Sequence, residues 1–98
     1  MANFIISELA KKDIRDIWNY TKSEWSEEQA NRYYNDLLDL CERIASNPEI
    51  IGRSYDDIRP NLRGANCGRH IIFYRILSQQ QVRIVRILHM AMDFPRHF

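Results

Sequence analysis

The chain has 98 residues, 45% hydrophobic and 28% charged, and is expected to fold as a single domain over residues 1–98, large enough to bury a core without disulfides or a structural metal. Its two cysteines, Cys41 and Cys67, stand apart and form neither a disulfide framework nor a zinc pattern, which points to a reducing cytoplasm. Residues Met1 to Ser7 carry no basic leader, and no segment is long and apolar enough for a signal peptide or a bilayer span, so the expectation is a soluble, unprocessed protein needing no cofactor.

The net charge of +1 hides an asymmetry. Residues 1–50 hold six Lys/Arg against ten Asp/Glu, whereas residues 51–98 hold eight Arg, no Lys and three Asp. An all-arginine second half favours bidentate or stacked recognition of carboxylates or phosphates. The plainer alternative is that arginine stems and forks complete a small sheet by packing and local ion pairs.

In chain order, Phe4-Ile5-Ile6 suits a short strand. Ser7 offers a helix N-cap, with Glu8 near the positive end of the dipole. Ala10, Ile14, Ile17, Trp18, Thr21 and Trp25 then recur at the spacing of one helical face, which predicts a helix near residues 8–24. Ser26-Glu-Glu-Gln29 reads as a capping box that opens a second helix near residues 27–46. Its inward face is read as Ala30, Tyr33, Tyr34, Leu37, Leu40, Cys41 and Ile44, and Asn47-Pro48 ends it. With almost no linker, the two helices should form an antiparallel hairpin.

Past Pro48 the character changes. Residues 49–57 read as a connecting loop, Ile58 to Arg63 as a short strand beside an edge or bulge because of Pro60, and Gly64 to Gly68 as a turn. Arg69–Leu77 and Gln81–Leu88 are rich in β-branched and aromatic residues and form a hairpin across Ser78, Gln79 and Gln80. The tail from His89 to Phe98 suits a last turn of helix. The expected class is therefore α+β: an N-terminal strand, an antiparallel helical hairpin, then a three-stranded antiparallel meander, all in one small sheet. Trp18, Tyr34, Leu37 and Ile72 should share one core. Two helices cannot cover both faces of the sheet, so part of the opposite face should stay open and is the natural place for function.

The sequence holds no phosphate-cradling glycine loop, no nucleophile elbow and no zinc spacing. Cys67-x-x-His70 is at most half a metal site, since a site needs three or four ligands. His89 and Asp93 lie four apart, which leaves a contact pinning the tail, the favoured reading, or a catalytic pair. Trp18 and Trp25 are expected in the core rather than as stacking platforms. Arg69, Phe73, Tyr74 and Arg75 interleave basic and aromatic residues as some RNA binders do, but strand alternation splits them between two faces.

One further pattern runs along the whole chain. Gly52-Arg53-Ser54-Tyr55-Asp56-Asp57-Ile58-Arg59, then Arg63, then Gly68-Arg69-His70-Ile71-Ile72-Phe73-Tyr74, then Ile87-Leu88-His89-x-x-Met92-Asp93 resemble the signature of the ParE branch of the RelE/ParE toxin superfamily. Ala10, Asp13, Ile17, Tyr20, Trp25, Gln29, Ala30 and Tyr33 also stand in matching places. The resemblance implies the helical-hairpin-plus-sheet fold and a cytoplasmic type II toxin that arrests growth by poisoning DNA gyrase, rather than an enzyme. It also implies a ParD-like antitoxin, with a DNA-binding ribbon-helix-helix part and a disordered C-terminal segment that folds onto the toxin; operator DNA would be reached only through it.

The sister branch supplies the alternative, RelE-like ribonucleases that cut messenger RNA in the ribosome with lysines, arginines and acid–base groups on the open sheet face. Their lysines have no counterpart here, since the last lysine is Lys22, although His89, Arg96 and His97 could rebuild such a cluster. A non-toxic module that only binds antitoxin is a third reading. Arg59, Arg63, Arg75, Arg83 and Arg86, with His89, are the expected contact residues for antitoxin or target. The antitoxin is expected to lay a helix in a groove beside the hairpin and to continue across the arginine-bearing sheet.

Overall fold

The computed structural model describes residues 3–78 and 81–98. Strand β1 (Asn3–Ile6) leads into helix α1 (Glu8–Glu24) and helix α2 (Glu27–Ser46). A single helical turn, α3 (Pro48–Ile51), precedes the two-residue strand β2 (Arg53–Ser54). Strands β3 (Arg63–Cys67), β4 (His70–Ser78) and β5 (Gln81–His89) follow, and Phe94–His97 form a 3-10 turn. The sheet order is β1-β5-β4-β3-β2, antiparallel except that β1 runs parallel to β5. The expected three-strand meander is thus the middle of a five-stranded mixed sheet. Of the turn expected over Ser78, Gln79 and Gln80, the two glutamines lie outside the described residues.

Both helix starts follow the local chemistry. Ser7 Oγ accepts the Ala10 N–H at 3.1 Å and Ser26 Oγ accepts the Gln29 N–H at 3.0 Å, each satisfying an amide that the first helical turn leaves without a partner. Ser7 also donates its hydroxyl proton to the Val85 carbonyl at 2.8 Å, so the cap of α1 is stitched to the sheet. Proline at position 48 closes α2 at Asn47 and opens α3, where a missing N–H costs nothing.

Two cores flank the sheet. On the helix side, Ile14, Leu37, Cys41 and Ile44 pack on Ile72, Tyr74, Val82, Ile84 and Ile87. On the other side, Tyr55, Leu62, Ile71, Phe73 and Leu88 are covered by Ile58 and by Phe94 and Phe98 of the tail. The face expected to be open is therefore half closed, by a loop and a tail whose periodicity gives no hint of it. Phe73 makes edge-to-face contacts with Tyr55, Phe94 and Phe98 at centroid distances of 5.1, 5.2 and 5.1 Å, the arrangement favoured by the ring quadrupoles.

Four local readings are corrected. Gly64 to Cys67 belong to strand β3 rather than a turn: Gly64 is there because a Cβ would come within 2.7 Å of the Tyr55 ring and 2.9 Å of Ile71. Only Gly68, at φ +56°, has turn geometry that demands glycine. Ile58 to Leu62, read as strand, loop back so that the Tyr55 N–H reaches the Leu62 carbonyl, with Asn61 at φ 66° and its N–H donated to Asp56 Oδ1. Of the four residues assigned to one core, Leu37 and Ile72 are buried, Trp18 is half-buried with its Nε1–H on Asn31 Oδ1, and Tyr34 is 40% exposed. Tyr33 takes the inward position, and Tyr34, about 100° further round the helix, falls on the flank.

Hairpin and sheet are tied by one ion pair. Arg86 clamps Asp13 through Nε and Nη2, both at 2.9 Å, with the side chains only 15% and 12% exposed. Asp13 Oδ2 also accepts the Ile87 N–H at 2.9 Å. Removing one partner of such a pair strands the other, at a cost of about 3 kcal/mol or more. Asp13→Ala and Arg86→Ala should each lower unfolding free energy in urea by about that amount, while the double variant loses far less than the sum. Strictly additive losses would show that the two side chains are not coupled.

Candidate functional site

The six residues singled out by sequence divide sharply. Arg63 is occupied internally: Nε donates to the Pro48 carbonyl at 3.1 Å and to Tyr74 Oη at 3.2 Å, and Nη2 donates to the Glu49 and Gly52 carbonyls at 3.2 and 2.7 Å. Tyr74 Oη in turn donates to the Pro48 carbonyl at 2.6 Å. The guanidinium thus satisfies carbonyls that the short α3 leaves open, and its fork geometry suits several oxygens at once. Arg86 is committed to Asp13 and, through Nη1, to the His97 carbonyl at 3.3 Å, which also fastens the tail. The pair lifts the Arg86 pKa, chiefly through the hydrogen bonds to Asp13.

Arg59, Arg75 and Arg83 have no side-chain partner among the described residues. Arg59 sits exposed on the loop. Arg75 and Arg83 are directly opposite one another across β4 and β5, on the face away from the helices. Like charges at opposed positions repel, so this arrangement costs the isolated chain stability. Ile5, 41% exposed, is the register partner of Arg83 on β1, and exposed Leu77 lies close by in β4. Two unpaired cations beside two exposed aliphatic side chains make a surface complementary to an acidic, amphipathic segment.

His89 lies elsewhere, at the end of β5 on a groove of about 540 Å³ between the hairpin and the β3–β4 turn. Tyr20 and Trp25 from α1, Arg32 and Tyr33 from α2, and Arg69 and His70 from the turn also line it. Trp25, expected in the core, is 71% exposed: it is the C-cap of α1, at φ −128° and ψ −86°, and the chain leaves the helical face there. The sequence pointed to a groove beside the hairpin and to His89, but not to the groove's other lining residues, because its walls are more than 30 residues apart.

The β3–β4 turn is held against α2. Tyr33 Oη donates to the Cys67 carbonyl at 2.8 Å and lies 2.7 Å from His70 Nδ1, and a Cβ on Gly68 would meet the Tyr33 ring at 2.8 Å. With the phenol proton on the carbonyl, Nδ1–H of His70 is the donor to Oη. Burial lifts the Tyr33 phenol to about 12 and raises the Cys67 thiol, so neither is a nucleophile at neutral pH. His89 Nδ1 accepts the Ala91 N–H at 3.0 Å, and no His89–Asp93 contact occurs among the described residues, because the chain bends at Met90 instead of continuing as a helix.

His70 meets His89 edge to face at 5.2 Å. Burial first, then the neighbouring His89, lowers its pKa from 6.5 to about 4. Between those values the unfolded imidazole takes up a proton that the folded one refuses, so stability falls as pH drops through that window. Replacing His70 by Asn should flatten the stability-against-pH curve between about pH 6.5 and pH 4 relative to the unaltered chain. An unchanged slope would mean that His70 protonates freely in the fold.

Comparison with known proteins places this geometry. A model of the family described as "ParE toxin of type II toxin-antitoxin system, parDE" matches residues 4–94. The chain is 35% identical over 96 residues to "Toxin ParE1" of Mycobacterium tuberculosis, covering 98% of this chain and 97% of that one. It is 35% identical over 97 residues to "Toxin ParE1" of Caulobacter vibrioides (99% and 98%), and 32% identical over 93 residues to "Toxin ParE" of Escherichia coli (95% and 89%). Among solved structures it is similar to a chain of the chromosomal ParDE system from P. aeruginosa, with a TM-score of 0.77 at 17% identity (91% and 96% covered). A chain of the toxin–antitoxin complex RelBE2 from Mycobacterium tuberculosis gives 0.70 at 16% identity (90% and 96%) and, like the first, shares the fold. With the family pattern matched from β1 to the 3-10 turn and these relatives aligned over nearly their whole length, the chain belongs to the ParE toxins of type II toxin–antitoxin systems.

Proposed function

We propose that this toxin acts in the cytoplasm as a poison of DNA gyrase and is held inactive by a ParD-like antitoxin whose disordered C-terminal segment folds across the open half of the sheet. The observation that carries the antitoxin part is the Arg75–Arg83 pair: two opposed guanidinium groups without a carboxylate among the described residues, flanked by exposed Ile5 and Leu77. An acidic segment laid there relieves the repulsion and buries the aliphatic side chains in one step. Ordering a disordered segment on that face is costly, so affinity comes from the apolar anchors and the arginines set register and association rate.

Gyrase rather than messenger RNA is supported by two committed arginines and by the lysines the second half lacks. A ribonuclease site requires guanidinium or ammonium groups free to clamp a phosphate beside an acid–base pair. Arg63 and Arg86 spend their donors on backbone carbonyls and Asp13, and the second half of the chain has no lysine. Purified toxin is expected to inhibit supercoiling or to accumulate gyrase-cleaved DNA, while a translating extract keeps its messenger intact. Ribosome-dependent cutting of messenger with gyrase unaffected would reverse the assignment in favour of the ribonuclease.

For the antitoxin, Arg75→Ala and Arg83→Ala should each weaken binding by about 1–3 kcal/mol, more strongly at low salt. Arg63→Ala should act first on thermal stability, because its donors serve the fold. Unchanged antitoxin affinity and salt dependence in both Arg75 and Arg83 variants would remove the pair from the interface.

A further inference from the structure

We propose that the groove at the tip of the helical hairpin is the surface with which the toxin grips its protein target, separate from the sheet face that takes the antitoxin. The proposal rests on the reading of this chain as a poison of a protein target. Trp25 and Tyr20 are 71% and 66% exposed, and they stand beside Arg69, Arg32 and Tyr33 around one concavity of about 540 Å³. Tryptophan, tyrosine and arginine around a concave site are the residues that dominate protein–protein binding energy. Exposed rings of this size are not explained by packing, because the core on that side closes without them.

The groove is also preorganised. One wall is the β3–β4 turn, fixed to α2 by the Tyr33–Cys67 hydrogen bond and by Gly68, whose missing Cβ allows the turn to touch the Tyr33 ring. A rigid wall loses little entropy when a partner seats against it. Of the two lining arginines, Arg32 leans on Glu28 at 3.4 Å, whereas Arg69 has no ion-pair partner among the described residues. The occupant that fits is a protein segment that sets an apolar side chain against Trp25 and Tyr20 and a carboxylate on Arg69. A nucleic acid fits less well: Asp36 lines the groove, and Glu24, Glu27 and Glu28 stand exposed around the hairpin tip. Those carboxylates repel a phosphate backbone.

Two surfaces, rather than one continuous antitoxin track, follow from the sheet geometry. His70 borders the groove on the helix side, whereas Arg75 is five residues further along β4, about 17 Å away, on the opposite face.

The experiment uses the full chain unaltered and as the Trp25→Ala, Tyr20→Ala and Arg69→Glu variants, each measured against gyrase holoenzyme, against the antitoxin and for growth arrest in cells. Because all three side chains are exposed, thermal stability should hold. Expected is a loss of potency against gyrase of at least about tenfold for Trp25→Ala and Arg69→Glu, with antitoxin affinity within about twofold of the unaltered chain. Full gyrase inhibition by all three variants overturns the proposal, as does loss of antitoxin binding, which would give the groove to the antitoxin. Binding of a labelled single-stranded oligonucleotide that Trp25→Ala abolishes would likewise overturn it, in favour of nucleic acid. If the unaltered chain does not touch gyrase, the gyrase reading fails by itself. Growth arrest lost in the groove variants then upholds the groove as a target site, and arrest retained sinks it.

Discussion

Where β1 stops pairing with β5 after Ile84, the outer edge of β5 loses its strand partner, and side chains from the start of α1 supply what the strand no longer does. Ser7 takes up the Ile84 and Val85 carbonyls, and Asp13 accepts the Ile87 N–H while holding Arg86. An unpaired edge is costly if buried and a hazard if exposed, so this closure lets the last turns of β5 run on to His89 without a fifth residue of β1. The same clamp reaches the tail through the His97 carbonyl and so holds Phe94 and Phe98 over Phe73. Hairpin, sheet and tail thus depend on one carboxylate in the first helix.

With the edge closed in this way, the arginine-rich second half resolves into separate tasks. Arg63 and Arg86 are internal fasteners, held by backbone carbonyls, a phenol and a carboxylate, and the plainer reading of the charge asymmetry accounts for them. Arg75 and Arg83 have the opposite character, placed opposite each other across two strands with no side-chain partner among the described residues. A fold that tolerates this locally unfavourable pair suggests that something outside the chain completes it. Arg69 belongs to neither group, since it sits on a fixed turn beside exposed aromatic rings.

Keeping the two surfaces on different faces has a mechanical consequence. The β3–β4 turn, held to α2 by Tyr33, and the hairpin tip form a concavity suited to seating a partner that is already folded. The half-open sheet face carries Arg75 and Arg83 beside exposed Ile5 and Leu77, suited to a segment that orders as it binds. The proposed antitoxin and target surfaces thus differ in shape and in charge as well as in position.

The sequence alone placed α1 and α2, because capping and periodicity are local: Ser7 and Ser26 fix where they begin, and Pro48 fixes where α2 ends, whereas residues 49–57, read as a loop, carry part of α3 and the short β2. It also carried the family pattern and the pairing-prone runs of β4 and β5. What it could not decide was anything that depends on distant neighbours. Gly64 looks like a turn residue until Tyr55 and Ile71 are brought against it, and Trp25 looks like core until the helix ends beneath it. Arg63 and Arg75 are chemically identical in the sequence; one finds three carbonyls and a phenol, the other, among the described residues, faces Arg83 across the strand. Only tertiary structure distinguishes them, because a guanidinium's role is set by the oxygens within about 3 Å of it, and those come from α3, from Gly52 at its end and from Tyr74 on the neighbouring strand β4.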